Sequence, residues 1–136
     1  QVGINVDINV YEWGAFQDAI NAGEHDLLIL GWVNTTCDPA YSVTQLFHSR
    51  NCGMSGNRAY LKDDKVDEMI DAAAMETNRE KRLQIYKDLQ VRLNELCPWV
   101  PLYYKYSMVG RRADLKGFKF NKNTSFHYLG DCYYEK

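Results

Sequence analysis

The residues best suited to chemistry lie in one short stretch: Trp32, Asn34, Thr35, Thr36 and Asp38. An indole beside amide, hydroxyl and carboxylate groups suits a small polar ligand with apolar parts. The competing reading makes Trp32 a core residue and the rest a turn held by Asx chemistry. Elsewhere the chemistry is thin. The sequence contains no G-x-S-x-G, no G-x-x-x-x-G-K, no H-E-x-x-H and no G-x-G-x-x-G. The carboxylate pairs Asp63-Asp64 and Asp67-Glu68 fall in the first turns of a helix pattern, where the helix dipole favours negative charge. Arg111-Arg112 is a two-residue basic spot of the solvated kind. His25, His48 and His127 are scattered and no C-x-x-C occurs, so neither a metal nor a cofactor is implied.

Chemistry at residues 32–38 needs elements that present it. Ile4, Val6, Ile8 and Val10 alternate with Asn5, Asp7 and Asn9, the period of a strand with one buried face. Trp13, Phe16, Ala19 and Ile20 recur at helical spacing, and Gly23 suits the position just past the helix end. Residues 27–33 form a continuous apolar run of the kind found in strands buried on both faces. Strand, short helix and strand make a βαβ unit, and in open α/β sheets ligands sit beyond the carboxyl ends of the strands, where residues 34–38 fall. A short helix is expected over 40–47 and a loop over 49–57. Asp63 or Asp64 caps a helix carrying Val66, Met69, Ile70 and Ala73. Asn78 caps a longer one with Leu83, Tyr86, Leu89, Leu93 and Leu96 on its apolar face, stopped by Pro98 and Pro101. Residues 100–109, 115–120 and 126–134 read as strands. The fold class is therefore α/β, with a βαβ start, paired helices and terminal strands.

Composition bounds the rest. The 136 residues are 46% hydrophobic and 25% charged, close to the globular average, which excludes wholesale disorder. A net charge of -2 argues against a nucleic-acid binder working through a broad basic surface. No apolar run approaches the ~20 residues of a membrane helix. Cys37, Cys52, Cys97 and Cys132 are either buried thiols or disulfides, and spacing alone selects no pairing, although Cys37 and Cys52 bracket a short loop. The sequence begins at Gln1 without a Met and enters a strand pattern at once, which reads as a processed terminus or a cut through a larger fold.

Segments along nearly the whole chain resemble, in order, the C-terminal part of the family 5 extracellular solute-binding proteins, the peptide/nickel group of ABC importers. They are Gly3-Ile4 with Trp13-x-x-Phe16, then Asp26-Leu27 to Gly31-Trp32, and Asp38-Pro39. Asn57 with Tyr60, Val66-Asp67-x-x-Ile70, and Arg82 with Tyr86 ahead of Gln90 follow. Pro98-Trp99-Val100-Pro101-Leu102-Tyr103-Tyr104 and Lys116-Gly117-Phe118 complete the set.

The resemblance implies a fragment of a periplasmic-binding-protein-like type II fold. Residues 1–97 would be part of the second lobe, and 98–136 would return through the hinge toward the first. It implies an extracytoplasmic receptor, free in the periplasm or lipid-anchored, that binds an oligopeptide or related small solute and hands it to ABC permease subunits. The partner in closing the cleft would be the missing N-terminal part of the same protein; the fragment alone could self-associate. Ligand-binding residues carried over are Trp32, Asn34, Thr35, Asp38, Tyr104 and Lys105. Peptide-binding members place an Asp for the peptide α-ammonium where this chain has Thr35, so a free amino terminus is not the implied ligand group. Some members carry a disulfide in the region matching Cys37 to Cys52, which favours that pairing. The alternatives are a stand-alone secreted interaction module and an enzyme, the latter requiring a convergent nucleophile and base.

Overall fold

The computed structural model describes residues 2–53, 56–121 and 127–135. Its centre is helical. Helix α1 spans Trp13–Ala22, α2 Pro39–Phe47, α3 Asp64–Met75 and α4 Arg79–Leu96. A single 3-10 turn, Ser49–Asn51, follows α2, and a two-residue antiparallel ladder pairs β1 (Leu115–Lys116) with β2 (Tyr133–Tyr134).

Helices α2, α3 and α4 start where a side chain satisfies free amides of the first turn. Asp38 accepts from the Ala40 amide, Asp63 from Val66, and Asn78 from Glu80 and Lys81. Pro39 at the first position of α2 needs no hydrogen-bond partner there. Gly23 ends α1 in the left-handed region (φ 74°) and returns its amide to the last turn. Cys97 ends α4 in the same region (φ 47°), ahead of Pro98.

The core lies between α3 and α4, with α2 laid across them. Val66, Ile70, Ala73, Tyr86 and Leu89 are buried, and Ala40, Val43, Phe47, Leu61, Ile85, Leu93 and Leu96 pack around them. An ion pair and a set of polar contacts around His48 fasten this layer. Arg92 of α4 reaches Asp63 at the start of α3 (2.6 Å). At the other end of α2, the buried His48 ring stands between two α3 carboxylates, Nδ1 3.3 Å from Asp67 and Nε2 3.4 Å from Asp71. Asp67 also takes the Ser49 amide (2.9 Å) and the Ser49 hydroxyl.

The expected strands are where the structure departs from the sequence reading. Residues 4–10 and 27–33 carry no ladder, so no βαβ sheet forms among the described residues. The run at 27–33 is buried on one side only. Leu28, Leu30 and Trp32 are half-buried, while Leu27 (85% exposed) and Ile29 (80%) face outward. Residues 100–109 likewise carry no ladder and are exposed. The physical reason is common to all three. Alternation fixes which side chains share a face, but a strand exists only when a neighbour supplies the ladder. Of residues 115–120 only Leu115–Lys116 pairs, and of 126–134 only Tyr133–Tyr134; residue 126 lies outside the described residues.

Candidate functional site

The segment after residue 31 is shaped by contacts with α2. Trp32 stacks on Tyr41 (centroids 5.5 Å apart) and donates its indole N–H to the Ser42 hydroxyl at 3.1 Å. The ring is half-buried, and its one polar atom is occupied.

Residues 34–38 then close on themselves. The Asn34 amide donates to the Asp38 main-chain carbonyl at 2.8 Å. The Asn34 carbonyl oxygen accepts from both the amide and the hydroxyl of Thr36, each at 3.1 Å. The Asp38 amide donates back to the Thr36 hydroxyl at 3.2 Å. This is Asx chemistry of the kind that lets a short loop hold its shape. Thr35 stands exposed at the head of the loop, and Cys37 adopts a left-handed backbone (φ 57°) beside it.

Asp38 is the most heavily engaged residue of the group. One carboxylate oxygen accepts from the Ala40 amide (2.8 Å) and from Arg82 (2.8 Å); the other accepts from Arg82 at 3.2 Å. The Arg82 guanidinium, followed by the Ala40 amide, holds the Asp38 carboxyl below its ordinary range. Asp38 therefore enters the loop as an anchored anion.

The structure thus brings together Trp32, Asn34 and Asp38, with Thr35 between them. Tyr104 and Lys105 lie apart on an exposed segment without secondary structure, Tyr104 at 97% exposure. The expected Cys37–Cys52 bridge is not formed: the cysteines are free. The Cys52 thiol is drawn inward, donating to the Leu61 carbonyl (3.7 Å) and accepting from Asn57 (3.4 Å), whereas Cys37 is exposed. Arg111 and Arg112 are occupied, Arg111 by the Leu115 carbonyl and Arg112 by Asp114.

Arg82 is the residue that sequence reading placed only as a motif position. It lies 44 residues from Asp38, and no local spacing announces the pair. A shallow pocket of about 360 Å³ opens beside it, lined by Pro39, Glu76, Arg79, Arg82, Leu83 and Tyr86 among others. Among the described residues, no group of His, Cys, Asp or Glu is arranged to hold a metal ion.

No family model matches the chain. Relatives do. Di/tripeptide-binding protein 2 of Pseudomonas aeruginosa is 30% identical over 120 residues, 88% of this chain and 23% of that protein. Heme-binding protein A of Haemophilus influenzae is 28% identical over 118 residues, 87% of this chain and 21% of that protein. Among solved structures, the ABC transporter-associated periplasmic binding protein DppA from Helicobacter pylori, in complex with the peptide STSA, superposes with a TM-score of 0.81 at 29% identity. That match covers 99% of this chain and 27% of the other. The chain spans about a quarter of the length of these proteins.

Proposed function

We propose, because this chain's relatives are family 5 extracellular solute-binding proteins and it spans about a quarter of their length, that it is part of the solute-binding component of an ABC importer. Such a component works outside the cytoplasm. It takes up a peptide or related small solute and delivers it to a membrane permease. Its task is binding and release, not bond making. The observation that carries this reading is the superposition on a peptide-bound periplasmic binding protein over 99% of the chain.

Within that reading, Trp32, Asn34 and Thr35 form one wall of the solute cleft. Trp32 supplies an apolar face already fixed by Tyr41 and Ser42. Asp38 acts by holding the loop, since both of its carboxylate oxygens are engaged. A solute cation gains no free carboxylate from residues 32–38, which favours a solute whose end at this loop is uncharged. Tyr104 and Lys105 belong to residues 98–136, which leave α4 at Cys97, anchor Trp99 edge-on against Phe47 (5.4 Å) and continue exposed to β1. We assign this stretch to the return through the hinge, with residues 1–97 in the second lobe.

The test is mass spectrometry of small molecules that co-purify with the longer polypeptide containing this chain, followed by calorimetry with the solute found. A bound solute displaced by substitution at Trp32 is the expected result. A longer polypeptide that carries no solute and binds none of a peptide panel would overturn the reading.

A further inference from the structure

We infer that Arg82 is the positioning residue of the proposed solute wall: it holds the 34–38 loop in binding shape from α4 without touching the solute. The inference rests on the solute-wall reading above. Its evidence is the way four groups converge on one guanidinium. Arg82 Nε donates to the Ala73 carbonyl near the end of α3 (3.1 Å). One terminal nitrogen donates to Asp38 at 3.2 Å; the other donates to Asp38 at 2.8 Å and to the Tyr86 hydroxyl at 3.0 Å. The guanidinium also lies over the Tyr86 ring, 5.1 Å from its centroid. Arg82 is thereby fixed by both core helices before it meets the loop.

Asp38 passes that fixation on. Its carboxylate is held by Arg82, while its own main-chain carbonyl and amide receive Asn34 and give to Thr36. Asn34 and Thr36 in turn lock each other, and Thr35 is the residue between them. The orientation of the presented residue thus traces through Asp38 to a planar fork on α4. A planar fork matters because only a guanidinium can meet both carboxylate oxygens while donating sideways to Ala73; an ammonium keeps the charge and loses the geometry. A loop ordered in advance binds more tightly because less ordering is left to the moment of binding.

The test is Arg82→Lys, with Asp38→Asn as the second variant because Asn retains the N-cap acceptor while losing the charge. Two readouts are taken by NMR on the longer polypeptide containing this chain: amide hydrogen exchange at Thr36 and Asp38 against the core of α3 and α4, and amide shifts at 34–38 on titration with the N-acetylated tetrapeptide Ser-Thr-Ser-Ala. The expected result is exchange at Thr36 and Asp38 faster by about tenfold or more, the α3 and α4 cores still protected, and peptide affinity weakened by about tenfold in both variants. Variants whose loop amides stay as protected as in the wild type overturn the inference. So do variants whose loop opens while peptide affinity is unchanged, which leaves the solute-wall reading standing. A wild-type longer polypeptide whose 34–38 amides do not respond to the peptide overturns the solute-wall reading and this inference with it.

Discussion

The Tyr60 hydroxyl lies between the main-chain carbonyls of Ile20 (3.1 Å) and Asn21 (2.7 Å), so a side chain from the loop after α2 satisfies the open end of α1. The ring fits in a slot bounded by two glycines with left-handed backbones, Gly23 (φ 74°) and Gly53 (φ 82°). A Cβ at Gly23 would stand 3.2 Å from the Tyr60 ring, and one at Gly53 would stand 3.2 Å from its hydroxyl. His25 reinforces the junction by donating to the Arg58 carbonyl (2.9 Å), as does Arg58 by donating to Gln17 (2.9 Å).

Gly23→Ala and Gly53→Ala should therefore each destabilise the chain by about 1–2 kcal/mol, since backbone strain and ring contact act together. Gly14 gives the contrast within the same helix: nothing lies within 4 Å of its Cβ position and its backbone is ordinary. Gly14→Ala should stabilise by about 0.5–1 kcal/mol. Urea unfolding followed by far-UV circular dichroism measures all three, and loss of equal size at Gly14 would count against the slot.

Leu89→Ala should cost about 2–5 kcal/mol. Leu89 is fully buried at the centre of the α3–α4 cluster, where a cavity has no solvent to relax into. Leu83, on the same helix but 47% exposed, should lose about 0.5 kcal/mol or less on the same change. The helix-period reading of α4 placed both leucines on one apolar face. The structure separates them, and the difference between the two unfolding midpoints measures that separation.

Stability should fall with acid through Asp63. Its carboxyl is held below the ordinary range, first by the hydrogen bond from Arg92 and then by the Val66 amide. In the unfolded chain an Asp titrates near about 3.9. With the folded value lower, the contribution is fully present above the unfolded value and is lost as pH falls through the folded one. Asp63→Asn keeps an N-cap acceptor and removes the charge. Its deficit in urea midpoint should be largest near neutrality and shrink as pH drops below about 4. Parallel curves for the two proteins down to acid would show that the Arg92 pair carries no linkage.

The helices were legible because their signals are local. Asp63, Asn78 and Gly23 mark ends within a few residues of the groups they cap, and the 3.6 period marks the faces. The loop at 34–38 was legible for the same reason: Asn34, Thr36 and Asp38 bond within the loop itself. Arg82 was not legible as a site residue, because its partner lies 44 residues away and a single sequence carries no distances. The strands were legible as faces only. Leu28, Leu30 and Trp32 turn inward as alternation requires, but pairing depends on a neighbour that the alternation does not name. That Cys37 and Cys52 stay unbridged was not legible, since spacing says nothing of the contacts of Asn57 and Leu61 with the Cys52 thiol.

Those unpaired faces lead to the last expectation. Ile4, Val6, Ile8 and Val10 are 73%, 65%, 83% and 91% exposed, and Leu27 and Ile29 are 85% and 80% exposed. An exposed apolar segment whose backbone enters no ladder is a template for pairing with another chain, and exposed apolar side chains add the drive to cover it. The chain studied by itself should associate with rising concentration. Ile8→Lys and Ile29→Lys should each shift the onset to higher concentration, because a charge on the open face opposes both pairing and burial. Light scattering with sedimentation measures this. Ile29 is exposed, whereas Trp32 makes the contact with α2, so substitution of Ile29 should leave the helical circular dichroism signal unchanged. A wild-type chain that stays monomeric throughout, or a Lys variant that associates as readily, would show that these segments are not the contact surface.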